Sequence, residues 1–204
     1  DRSGSMQSVW DDTIGGFNAF IQGQKIAEGE ATLTLVQFDY ENDTIYDNID
    51  IKDVPDLNRQ TYVPRGGTAL LDAIGEVIQS TGKRLSDIPE EERPTNVVIV
   101  ILTDGFENCS KEYTKNQVND MIKYQTDTYS WDFVFLAANQ DAIATGSSLG
   151  FSAGNSMSFA SNAVGTKAVY DTISASMVNL RGGDLSYKTE FFKQADRDAQ
   201  PISN

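Results

Sequence analysis

Asn96-Val97-Val98-Ile99-Val100-Ile101-Leu102-Thr103-Asp104-Gly105 is the stretch that decides the fold. Its apolar run, Val97 to Leu102, is far too short to cross a bilayer. It is apolar on both faces, the pattern of a central parallel strand buried between helices. Thr103-Asp104-Gly105 follows at once, so an acid stands just outside the strand's carboxyl end, where open α/β sheets form their sites.

Downstream, Thr114-Lys115-Asn116-Gln117 reads as a capping box, and Val118, Met121 and Ile122 continue that helix. Asp132 to Ala138 is again an apolar strand. A short helix from Asp141, a Gly/Ser loop, a brief strand near Met157 to Ala160 and a helix from Ala163 to Leu180 follow, and Arg181-Gly182-Gly183 stops the last. Upstream, Leu70, Ile74 and Val77 mark a helix from Ala69 to Gly82. Before it come strands Thr32 to Phe38 and Thr44 to Ile51, joined by Tyr40-Glu41-Asn42-Asp43 as an antiparallel hairpin. In the second strand Ile45, Asp47, Ile49 and Ile51 alternate with Tyr46, Asn48 and Asp50. Trp10, Ile14, Phe17 and Ile21 form the stripe of a first helix, which Gly15 and Gly16 weaken but let approach the sheet closely. Residues 1–183 read as one α/β domain and 184–204 as a polar tail, expected to be partly disordered although Glu190-Phe191-Phe192 could dock.

Composition excludes much. Sixteen basic against thirty acidic side chains give a net charge of −14, a field that repels phosphate backbones and anionic lipid heads. Neither nucleic acid nor membrane is expected as a partner. The chain has no histidine, so a Ser-His-Asp triad and histidine-ligated zinc or iron are excluded. A lone cysteine, Cys109, rules out an internal disulfide and makes the cytoplasm the expected compartment. With no base partner, Cys109 reads as an inert small residue. Gly146-Ser147-Ser148-Leu149-Gly150 lacks the Gly-Lys-Ser/Thr ending of a phosphate loop.

Asp1-Arg2-Ser3-Gly4-Ser5 places a carboxylate and two hydroxyls at alternate positions, and Arg65-Gly66-Gly67-Thr68 adds a hydroxyl before a helix. Asp1, Ser3, Ser5, Thr68 and Asp104 together are hard oxygen ligands of low total charge, suited to Mg²⁺ or Mn²⁺ rather than zinc or copper. Taken singly each has a plainer reading: helix N-capping for Ser3 and Thr68, a turn for Asp104. Glu107 and Asn108 read as surface turn residues, and Asp72 as a favourable charge on its helix dipole.

In this order the motifs resemble the metal-ion-dependent adhesion site of von Willebrand factor A-type domains, and the resemblance covers about the first nine-tenths of the chain. It implies a doubly wound, mostly parallel central sheet with helices on both faces and one antiparallel edge strand. In that fold a central strand precedes the first ligand, so a strand upstream of Asp1 is expected. By resemblance, Asp1, Ser3, Ser5 and Thr68 would contact Mg²⁺, with Mn²⁺ or Ca²⁺ as alternatives, and Asp104 would hold it through water. A partner protein's Asp or Glu would complete the shell. The relatives implied are stand-alone bacterial or phage proteins, and the role an intracellular scaffold or assembly factor, not an enzyme. The alternative is a Mg²⁺-dependent phosphatase or phosphotransferase with Asp1 as nucleophile. That class normally has a second Asp two residues on, where this chain has Ser3.

Overall fold

In the computed structural model, which describes residues 1–138 and 141–198, the apolar runs become strands and the periodic stripes become helices. The chain opens with a 3-10 turn, Gly4–Val9, that runs into helix α1, Trp10–Ile26. Strands β1, Thr32–Phe38, and β2, Asn42–Asp50, pair antiparallel. Helix α2, Leu70–Ser86, precedes β3, Val98–Thr103. Helix α3, Lys115–Tyr129, starts at Thr114 with both halves of the capping box formed. Then come β4, Asp132–Ala138, α4, Ala142–Leu149, β5, Ser156–Phe159, and α5, Ala163–Arg181. Two short turns of helix, α6, Ser186–Thr189, and α7, Gln194–Asp198, follow.

Strands β3, β4 and β5 form a parallel sheet in that order, Val98 opposite Asp132 and Phe135 opposite Ser156. One face, Ile99, Ile101, Phe133 and Phe135, packs on α2, α3 and α4 through Ile74, Ile78, Val118, Ile122 and Leu149. The other, Val134, Leu136, Met157 and Phe159, packs on α5 through Val169 and Ile173. A third cluster seats Phe17 and Ile21 of α1 against Val54, Leu57 and Tyr62. Among the described residues no helix is long and apolar enough to cross a membrane.

Four details depart from expectation. The strands make two sheets rather than one, β1–β2 and β3–β4–β5. The opening residues stand between them: Asp1 N donates to Leu102 O at 2.9 Å and Arg2 N to Phe38 O at 2.8 Å. Strand β3 is therefore buried on one face only, and Val100 on the other is 39% exposed. The alternation of β2 is broken by bulges. Leu33 pairs with Ile49 and Leu35 with Tyr46, and the extra residue is absorbed at Asn48, φ +51°. Tyr46 and Ile49 consequently both reach the core cluster of α1. Gly16 allows close approach to α5, not to the sheet, because a Cβ there would land in the Tyr170 ring; Gly15 faces open space. Finally, the segment after Gly183 docks as far as residue 198. Phe191 and Phe192 are fully buried and Phe192 N donates to Gly154 O at 3.1 Å, while residues 199–204 lie outside the described part.

Candidate metal centre

The carboxyl end of β3 and the opening loop meet at one place. Asp1 is fixed through both carboxylate oxygens: Oδ1 accepts from Ser3 N at 2.6 Å and Oδ2 from the Thr103 hydroxyl at 2.6 Å. Its carbonyl accepts from the Tyr62 hydroxyl at 2.8 Å. Ser3 and Ser5 hydroxyls lie 3.0 Å apart, and Ser5 Oγ donates to Asp104 Oδ1 at 2.5 Å. Thr68 joins them across Gly105. A Cβ on Gly105 would sit 2.7 Å from Thr68 Oγ1 and 3.5 Å from both serine hydroxyls. Glycine is thus what keeps that point open among three oxygens.

The plainer readings of these hydroxyls do not describe what they do. Ser3 occupies the N-cap position of the first turn without a side-chain capping bond. Ala69, not Thr68, occupies the cap position of α2, also without one. Their oxygens face the cluster instead. Burial pushes the Asp104 carboxyl above its ordinary value, against the hydrogen bond from Ser5. A carboxylate disfavoured by desolvation gains from a cation.

Among the described residues, no group of three or more histidine, cysteine or acidic side chains is placed to hold an ion. The candidate centre offers carboxylates only from Asp1 and Asp104, with Ser3, Ser5 and Thr68 as neutral oxygens. That donor set fits a hard divalent cation that keeps other ligands of its own.

Compared with protein-family models, curated proteins and solved structures, the chain matches none. The site therefore has to be judged on its own construction.

That construction includes residues the motif spacing did not reveal. Asp39, just past β1, is fully buried. Its Oδ2 accepts from Arg2 Nε at 3.0 Å and Arg65 Nε at 2.6 Å, its Oδ1 from Glu41 N at 2.8 Å, and its carbonyl from Ala69 N at 2.6 Å. Burial alone would raise this carboxyl, but the Arg65 and Glu41 hydrogen bonds and the two guanidinium charges hold it below the usual range. Arg2 also reaches Asp43 Oδ2 at 2.6 Å, an ion pair without hydrogen-bond alignment. The opening loop and the Arg65–Thr68 loop are laced directly as well: Arg65 N donates to Arg2 O at 2.7 Å and Gly4 N to Gly66 O at 3.1 Å. Gly66, φ +70°, takes the left-handed conformation and lies against the Tyr40 ring.

Glu107, expected on the surface, binds the start of α2. Its Oε2 accepts from Leu71 N at 3.0 Å and Ser110 Oγ at 2.7 Å, its Oε1 from Cys109 N at 3.0 Å and Ser110 N at 2.8 Å. Asp72 accepts from the amides of Lys111, Glu112 and Tyr113 at 2.7, 3.0 and 2.9 Å, a stronger role than dipole compensation. Burial, with Glu107 nearby, pushes the Cys109 thiol up, the opposite of an activated nucleophile.

Proposed function

We propose that this chain is a metal-dependent protein-binding module of the von Willebrand factor A type, taking a partner's carboxylate at an adhesion-type site. The observation that carries the reading is the convergence of Ser3, Ser5 and Thr68 hydroxyls on the open point beside Gly105, next to Asp104 at the end of a parallel strand. In this reading Asp1, Ser3, Ser5, Thr68 and Asp104 hold Mg²⁺, with Mn²⁺ or Ca²⁺ able to substitute. When bound, the cation supplies a positive centre that an Asp or Glu side chain of another protein can satisfy. The chain's own part is to keep that centre under-neutralised, because most of the proposed ligands carry no charge. Both oxygens of Asp1 are already held by Ser3 N and Thr103, which suits a fixed ligand better than an attacking nucleophile. The fold fits the same reading. The facing edges of β1 and β3, bridged at one end by Asp1 and Arg2, leave the place of a central strand in a doubly wound sheet. An intracellular scaffold or assembly role follows from a binding site without a base or activated nucleophile.

Mg²⁺ titrated calorimetrically into wild type, Ser3→Ala and Asp104→Ala tests the site. Saturable binding by the wild type is expected, weakened in both variants while circular dichroism is unchanged, since both changes are outside the apolar core. Partner capture from the native host with Mg²⁺, repeated in EDTA, tests the function. Capture undiminished in EDTA would sink the mechanism.

A further inference from the structure

Thr68 stands directly before α2, and its backbone is gripped from the loop that follows Asp104. Asn108 Oδ1 accepts from Thr68 N at 2.9 Å, and Asn108 N donates to Thr68 O at 3.1 Å. The two bonds seize the peptide groups on either side of the Thr68 Cα, so they set the direction in which its hydroxyl leaves the chain. Gly67 makes room for this grip. A Cβ there would meet Asn108 Oδ1 at 2.8 Å and Cys109 Sγ at 3.0 Å. Asn108 is itself anchored from both sides. Glu107 ties Cys109 and Ser110 to Leu71 N, and Asp72 ties residues 111–113 to the first turn of α2. The loop from Gly105 to Tyr113 and the start of α2 are thus bolted together, and Asn108 is the point where the loop meets Thr68.

We propose that Asn108 is the positioning residue for Thr68: it holds the threonine hydroxyl at the point beside Gly105 and couples it to the loop that carries Asp104. The inference rests on the metal-site reading above. Outer groups that orient metal ligands typically matter about 10–100-fold in metal affinity. The acceptor oxygen is what the grip requires of the side chain, so aspartate should serve as well as asparagine, and its added charge favours a nearby cation.

The test titrates Mg²⁺ alone, then Mn²⁺ alone, into wild type, Asn108→Ala, Asn108→Asp and Gly67→Ala, with thermal melts of each in EDTA. Asn108→Ala is expected to lose about tenfold or more in affinity. Asn108→Asp should match or exceed the wild type. Gly67→Ala, which pushes Asn108 aside without placing a residue at positive φ, should weaken binding as Asn108→Ala does. A purely structural Asn108 would lower the melting temperature and leave affinity at the wild-type value, and that result overturns the proposal. So does an Asn108→Asp variant as impaired as the alanine, a reading available even if Asn108→Ala fails to fold. A wild type that binds neither ion overturns the metal site itself, and this proposal with it.

Discussion

Asp132→Asn should stabilise the protein near neutral pH and not in acid. Asp132 opens β4 at the end of the sheet opposite the candidate centre, is 6% exposed, and has no partner for Oδ2. Burial raises its carboxyl from 3.8 to about 6, with Lys188 acting weakly the other way. The folded state therefore holds this proton more tightly than the unfolded chain does. Stability from this group is full below the unfolded value near ~3.9, and is lost as pH climbs through about 6. A rise from 3.8 to about 6 corresponds to ~3 kcal/mol at full weight. The group sits at a strand end close to bulk water, so screening reduces that to ~1–2 kcal/mol. Urea unfolding of both proteins at pH 4.5, 6 and 8 provides the check. The variant should gain ~1–2 kcal/mol over wild type at pH 8, and the gain should shrink toward zero at pH 4.5. Taking the difference at each pH cancels opposing carboxylates such as Asp39, which is held low. A variant destabilised equally at all three pH values would refute the reasoning, because the carboxylate would then be a needed acceptor rather than an uncompensated charge.

Gly105→Ala should leave the fold intact, since its φ is not positive, and cost tenfold or more in Mg²⁺ affinity by wedging a methyl against Thr68 Oγ1; unchanged affinity in calorimetry would count against the site. Gly15→Ala should stabilise α1 by ~0.5–1 kcal/mol, whereas Gly16→Ala should destabilise by ~1–3 kcal/mol through its collision with Tyr170; urea midpoints that move together would contradict the packing. Asp39→Asn leaves Arg2 buried without its counter-ion and should cost ~3–5 kcal/mol in urea unfolding at pH 7. Acid should narrow that deficit, because wild-type stability from Asp39 is lost as pH falls through its lowered value.

Strands β3 and β4 and the cap of α3 were legible because their signals are local: an apolar run, or a Thr and a Gln three residues apart. The candidate ligands were legible as short motifs, although nothing in the spacing showed that Gly105 is where the hydroxyls meet. The rest depends on contacts remote in the chain. Asp39 is one acid after a strand, and its partners Arg2 and Arg65 lie 37 and 26 residues away. Glu107 and Asn108 look like turn residues until the start of α2 is brought against them. The β2 alternation misled because Asn48 takes a left-handed conformation that the sequence does not announce. In the tail, polar neighbours hid Phe191 and Phe192, whose burial depends on Asn155 and Ser176: Asn155 Oδ1 accepts from Phe191 N at 3.1 Å and Ser176 Oγ donates to Phe191 O at 2.9 Å.

The opening pentapeptide works by parity. Odd positions, Asp1, Ser3 and Ser5, turn toward the oxygen cluster, while the even ones turn inward, Arg2 to Asp39 and Gly4 to Gly66. A substitution at any one position disturbs one contact. A single inserted or deleted residue exchanges the two sides for everything beyond it, and a deletion between Asp1 and Ser3 would bring residues meant for the interior round to the cluster. Drift in this segment is therefore confined to replacement: its side chains are exchangeable one at a time, but its count is not.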